Sequence, residues 1–373
     1  MYDLIVIGGG PAGTSVAILA ARSGASVLLL ERGRFPRHKV CGEFVSAESL
    51  ELLSSLLDLQ HATLLGDAVR IPQARLFLDG TILCTPVSPP AASITRLDFD
   101  AALWDSAANV GVEARQQTTV QSIVGAGPFR ISTPAGDFDA RAVVNASGRW
   151  SNLTSEAAFN GKLTEKRLGL KAYFSEPSPH LSADLYFFDG GYCGVQPVSL
   201  NGNSRVNACA MVRADRASTL AEVFALHPIL LERSRQWRPL SDSVNTSPLL
   251  FRDPQPEHNG VLMVGDAAGF VDPFVGDGIS LALLSGSLAA RFLTPFFRKE
   301  VSLQDAVQSY SRTYQERLAP VFRASSGIRR LLGLPRSVRK PLLFVFAKTP
   351  ALTRYLARKT RGIAETETAD ANS

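Results

Sequence analysis

An apolar run with β-branched residues, "DLIVI" at 3–7, gives way to "GGGPAG" and then to the helical spacing of "TSVAILAARSG", which Gly24 closes. A second apolar run, "SVLLLE", ends at Glu31, so the first thirty or so residues form a β-α-β unit sized for a parallel crossover. "FPRHKVCGEFVS" reads as a loop before the helix "AESLELLSSLL", and "QARLFLDGTILCT" (73–85) as a β-hairpin turning at Asp79-Gly80. "RLDFDAALWDSAANVG" is an amphipathic helix ending at Gly111. "VEARQQTTVQSIV", "FRISTPAG" and "ARAVVNASG" read as three strands returning to the first sheet. Residues 170–213 are strand-rich, 216–236 helical, "GVLMVGDAAG" a buried strand with a glycine turn, and the chain after Gly278 mostly helical.

This order predicts an α/β protein in which a Rossmann-type nucleotide-binding domain is built from non-contiguous pieces around an inserted antiparallel β-sheet domain. The expected pieces are 1–75, 95–160 and 246–300 for the nucleotide-binding domain, and 76–94 and 161–245 for the substrate domain. A basic helical C-terminal region, 301–373, follows.

Composition narrows the class only a little. At 373 residues, 45% hydrophobic and 20% charged, the chain is ordinary globular protein with room for two domains. Four scattered cysteines suggest neither a disulfide framework nor a zinc site, and no metal is expected. Neither a leader nor an uninterrupted membrane-length apolar run is visible, so the expected setting is cytoplasmic, with peripheral membrane contact as an option. Eleven Lys/Arg and no Asp/Glu lie between Arg323 and Arg361, leaving a net charge of −6 on the rest. That segment could be a helical cap with its charges outward. As a partner surface it suits an anionic membrane or an acidic carrier protein, whereas nucleic acid finds no recognisable fold.

Two glycine turns carry the chemistry. Gly8-x-Gly10-x-x-Gly13 lies between a strand and a helix, where the glycines permit a tight turn, approach of a pyrophosphate and close helix packing. Glu31, at the end of the next strand, suits a ribose hydroxyl. The second turn, "VGDAAGFVDPFVGDGIS", comes about 250 residues later. One long ligand explains both: FAD, with its ADP end on the first turn and its ribityl chain beside Asp266. Gly276 and Gly278 then open a helix whose N–H groups would face the flavin ring. An NAD-dependent dehydrogenase would leave the second turn without purpose.

The blocks "IGGGPAG…LLLER", "FPRHKVCGE", "ITRLDFDAAL" and "GDAAGFVDPFVGDGISLA" together resemble FAD-dependent oxidoreductases of the p-hydroxybenzoate-hydroxylase-like fold, over roughly residues 1–300. Among these the chain is most similar to the geranylgeranyl-reductase-related branch, and distantly to flavin-dependent halogenases. On the matched positions the resemblance implies cofactor contacts from Gly8, Gly10, Ala12, Gly13, Glu31, Arg32, Gly42, Arg96, Gly148, Gly265, Asp266, Gly276 and Gly278. It also implies that Val120, on the strand "TTVQSIV", offers backbone groups to the adenine, and that Cys41 lies beside the flavin ring as the candidate catalytic residue. A small buried hydrophobe is the alternative for Cys41. For Glu43 the choice is between accepting a proton and capping the helix that starts after Ser46.

The resemblance further implies C=C reduction of a lipid-like, isoprenoid or polyketide/quinone-type substrate. Where such prenyl reductases carry aromatics, "GYCGVQP" keeps Tyr192 and Pro197 but has Gly194 and Gln196. That departure leaves open a monooxygenase acting on a phenolic or quinone-like substrate through a flavin C4a-hydroperoxide. The halogenase tryptophan motif is missing. Ser147-Gly148 stands where Asp-Gly is usual, so electrons come either from NAD(P)H directly or from a separate reductase.

Overall fold

The computed structural model describes residues 1–149, 153, 166–200 and 203–332, with Leu334 and Ser337. The all-apolar stretch Leu4–Ile7 is explained by burial on both faces, as for a central parallel strand. Tyr2–Ile7 pairs in parallel with Val27–Leu30 on one side and Gly136–Asn145 on the other. Glu113–Arg115 and Val261–Met263 extend this parallel core, and Glu257–His258 and the meander strands Ser122–Gly125 and Phe129–Thr133 complete an eight-stranded sheet.

The second sheet has nine strands and receives pieces from across the chain. Its long strands Arg167–Ser175, Ala183–Phe188, Gly191–Leu200 and Asn203–Arg213 pair antiparallel. One parallel seam joins Ala183–Phe188 to Val69–Leu78. The hairpin turns at Asp79-Gly80, both at positive φ, but its strands are longer than the pattern suggested, Val69–Leu78 and Thr81–Ser93. Phe44–Val45 also joins this sheet, so its first pieces precede residue 76.

Three helices finish the described part: Gly278–Phe297, Leu303–Arg317 and Ala319–Leu332. The first is twenty residues long and apolar enough to cross a membrane by length and composition, a feature the glycines and serines in its sequence hid. It lies against the helix Pro11–Arg22 with over half of its most apolar stretch buried. Gly286 allows that approach: a Cβ there would lie 2.4 Å from the Ala12 carbonyl oxygen. Ser15 Oγ also donates to the Leu283 carbonyl at 3.1 Å.

The helical stretch 216–236 consists of two short helices, Leu220–Ala225 and Pro228–Ser234, Pro228 opening the second. One reading of the pattern needs correction: Val120 is not on a strand. Gln117 takes a positive φ, and the N–H groups of Gln117 and Thr118 bond to the Gly33 and Glu31 carbonyls, so residues 116–121 hug the loop after Val27–Leu30 and only Ser122 re-enters a sheet. The basic segment from residue 333 onward lies, apart from Leu334 and Ser337, outside the described residues.

Candidate functional site

Both glycine turns open into one cavity of about 580 Å³. Gly8 sits at φ +108°, and a Cβ on Gly13 would lie 1.9 Å from the Gly8 carbonyl oxygen, so the helix Pro11–Arg22 starts directly against the strand before it. Nothing lies within 4 Å of where a Gly10 Cβ would be, which leaves the backbone open to a ligand. The second turn abuts the first: a Cβ on Gly265 would meet the Ala12 Cβ at 2.9 Å. A ligand running along the first turn therefore reaches the second without leaving the cavity.

The wall contains Gly8, Gly10, Ala12, Glu31, Arg32, Cys41, Gly42, Arg96, Val120, Gly148, Gly265, Asp266, Gly276 and Gly278. Of the implied cofactor contacts, Gly13 alone does not line it; that glycine packs behind Gly8. Val120 reaches the wall as coil, not strand, and is buried.

The charges lining this space fit an anionic, hydroxyl-bearing ligand. Arg37, Lys39, Arg96 and Arg149 all face it. Burial, helped by Arg37 and Arg96, brings the Lys39 ammonium down to about 8. Burial opposes the charge on Arg96, but Asp100, bonded through both oxygens at 2.7 Å, more than offsets it. The recessed position of Asp266 pushes its carboxyl above the usual range against the pull of Arg149, Arg96 and Lys39. Its ion pair with Arg149 is long, at 3.9 Å, which leaves the carboxyl able to accept from hydroxyl donors.

Glu31 is more constrained than its place at the strand end suggested. Oε1 accepts from Gly33 N at 2.7 Å and Arg37 at 2.6 Å, while Oε2 accepts from Gly9 N at 2.9 Å and Arg37 at 3.0 Å. Burial pushes this carboxyl up, yet Arg37 and the N–H groups of Gly33 and Gly9 outweigh it and hold the carboxyl low. Those four donors fill the roughly four lone-pair directions of a carboxylate. A further donor must displace one of these four to bond Glu31. Sequence reading missed Arg37 and Lys39, although both stand in the quoted loop "FPRHKVCGE".

The far end of the cavity is apolar, walled by Leu185, Tyr192, Met211, Leu249, Phe270 and Phe274. Tyr192, Gly194 and Gln196 alternate along one strand and all face the cavity, while Cys193 between them is fully buried. Gln196 is fixed by donating to Ser93 Oγ at 2.6 Å. Phe270 stacks on Phe251 at 5.5 Å, and guanidiniums cap this pair: Arg149 at 4.5 Å over Phe270, Arg329 at 4.0 Å and Arg167 at 5.9 Å over Phe251.

Glu43 does not cap the helix after Ser46. Its Oε1 instead accepts the Arg96 N–H at 2.7 Å, at the first turn of Arg96–Asn109, and no side chain caps the Ser46 end.

A family described as "FAD binding domain" matches residues 1–324. Digeranylgeranylglycerophospholipid reductase 2 of Methanopyrus kandleri is 26% identical over 345 residues, covering 85% of this chain and 82% of that protein. Menaquinone reductase of Mycolicibacterium smegmatis is 25% identical over 366 residues, covering 90% and 85%. Among solved structures, the myxobacterial chondrochloren halogenase CndH superposes with a TM-score of 0.74 at 22% identity, covering 97% of this chain and 94% of that one, a likeness of fold. Taken with two glycine turns sharing one cavity, the match over residues 1–324 means that the chain belongs to the FAD-binding-domain family, as an FAD-dependent oxidoreductase.

Proposed function

We propose that the chain reduces a carbon–carbon double bond in a hydrophobic, lipid-like substrate of isoprenoid, polyketide or quinone type. The observation carrying this reading is the continuity of the cavity, whose cofactor-facing wall of glycines and cations runs into an arm of Leu185, Tyr192, Met211, Leu249, Phe270 and Phe274. The names of two relatives point the same way, since one reduces a digeranylgeranylglycerophospholipid and the other a menaquinone. Bound FAD supplies hydride chemistry at its ring. This chain's residues do the rest. The first turn and its helix N-terminus take the pyrophosphate, Glu31 and Arg37 settle the ribose, and Asp266 accepts from the ribityl chain. Gly276 and Gly278 present the N–H groups of a helix end to the ring, and Cys41 lines the same cavity.

Hydroxylation of a phenolic or quinone-like molecule is the second reading. It is favoured by Gly194 and Gln196, which make one wall of the arm open and polar. Electrons come from NAD(P)H or from a separate reductase. We assign the basic stretch 323–361 to an anionic membrane or an acidic carrier protein that delivers the substrate, at the cytoplasmic face. The test is to mix photoreduced holoenzyme with menaquinone or a geranylgeranylated lipid in the absence of oxygen. Rapid reoxidation with saturation of the double bond is expected, and Cys41→Ala should slow that step more than it lowers flavin content. Turnover only with oxygen, and a product that has gained an oxygen atom, would replace reduction by hydroxylation.

A further inference from the structure

A buried ionic cluster next to the cavity belongs to none of the cofactor motifs. Glu43 is fully buried, and Lys171 and Tyr173 are 1% and 2% exposed. Lys171 Nζ and the Tyr173 hydroxyl both donate to Glu43 Oε1, the hydroxyl at 2.6 Å, and Lys171 also donates to the Tyr173 oxygen at 2.9 Å. The same carboxylate oxygen accepts the Arg96 N–H. A single atom thus ties together the cavity loop, the start of a helix under the first sheet and a strand of the second sheet. Glu43 Oε2 is buried with no hydrogen-bond partner among the described residues.

This arrangement is costly twice over. A buried carboxylate–ammonium pair pays a desolvation cost that packed apolar side chains would avoid. Glu43 also adopts φ +64°, the left-handed region that non-glycine residues enter only when their surroundings enforce it. What that conformation achieves is visible two residues back. The Glu43 N–H donates to Cys41 Sγ at 3.3 Å, and Asn207 Nδ2 donates to the Cys41 carbonyl at 3.0 Å. The thiol shares the cavity wall with Arg96. With Phe44–Val45 held in the second sheet, rotating Glu43 to an ordinary φ would swing Cys41 and Gly42 together and carry the thiol away from its place on the cavity wall.

We propose that Glu43, Lys171 and Tyr173 are positioning residues: they hold the 41–43 turn in its left-handed form and so fix where the Cys41 thiol points in the cavity. The proposal rests on the reading of this cavity as the flavin site only for its consequence in turnover, not for the geometry itself.

The test is site-resolved alkylation of the holoenzyme with iodoacetamide across pH 6–9, read by mass spectrometry, with exposed Cys84 as internal reference. Lys171→Met and Tyr173→Phe are expected to change the Cys41 rate constant by about tenfold and to alter its pH profile, with Cys84 unaffected. Lys171→Met leaves a buried carboxylate without its cation, so the double variant Lys171→Met/Glu43→Gly is the companion. Glycine takes the left-handed φ unaided, so the double variant should return the Cys41 rate toward that of the parent. Variants that retain FAD and alkylate Cys41 at the parental rate, or a double variant that fails to recover, overturn the positioning role. A parent protein lacking FAD would instead overturn the cofactor reading, while the same alkylation series still decides the proposal.

Discussion

Asp272 shows how one side chain can set a pH dependence. It is 2% exposed, and burial pushes its carboxyl up to about 6, against weak pulls from the Phe274 N–H, Arg329, Arg167 and Tyr192. Between about pH 4 and pH 6 the folded chain then holds more protons than the unfolded chain, so this group removes stability as pH rises through that window. That rise corresponds to at most about 3 kcal/mol. Urea unfolding of Asp272→Asn should show that fall flattened and the variant more stable than the parent at pH 7. An unchanged slope would mean that Asp272 titrates as an ordinary surface acid. No sequence pattern announces this. The aspartate stands in the quoted second turn, but its burial against Tyr192 comes from a strand 80 residues away.

At the scale of elements, the packing of Pro11–Arg22 on Gly278–Phe297 positions both turns, and it depends on a glycine with no room to spare. Gly286→Ala places a methyl against the Ala12 carbonyl, and we expect a loss of about 1–3 kcal/mol together with weaker FAD binding. Gly327→Ala, in a helix with none of the described residues within 4 Å of the new methyl, should stabilise by about 0.5–1 kcal/mol. Thermal melts of the two variants moving the same way would show that packing at Gly286 does not control the turns. The elements that were legible in the sequence carry their cause locally: apolar runs for the parallel strands, Asp79-Gly80 for the hairpin, and glycines for the two turns. Those that were misread depend on partners elsewhere. Val120 leaves the strand because residues 117 and 118 bond to carbonyls of the 31–33 loop, and Glu43 turns away from its neighbouring helix to meet Lys171, 128 residues on.

For the molecule as a whole, two sheets contributed by scattered segments converge on one cavity, and every claim about chemistry depends on that convergence. Gly265 beside Ala12 brings the turns within reach of a single dinucleotide, and the strand carrying Tyr192, Gly194 and Gln196 closes the space opposite. The most direct measurement is the FAD content and affinity of the purified chain and of two single variants, Gly13→Val and Asp266→Ala. The prediction is one FAD per chain, with each variant, altered at a different turn, weakening the binding of the whole flavin by about tenfold or more. Two nucleotides per chain, or an Asp266→Ala protein that binds FAD as tightly as the parent, would contradict a cofactor stretched across both turns.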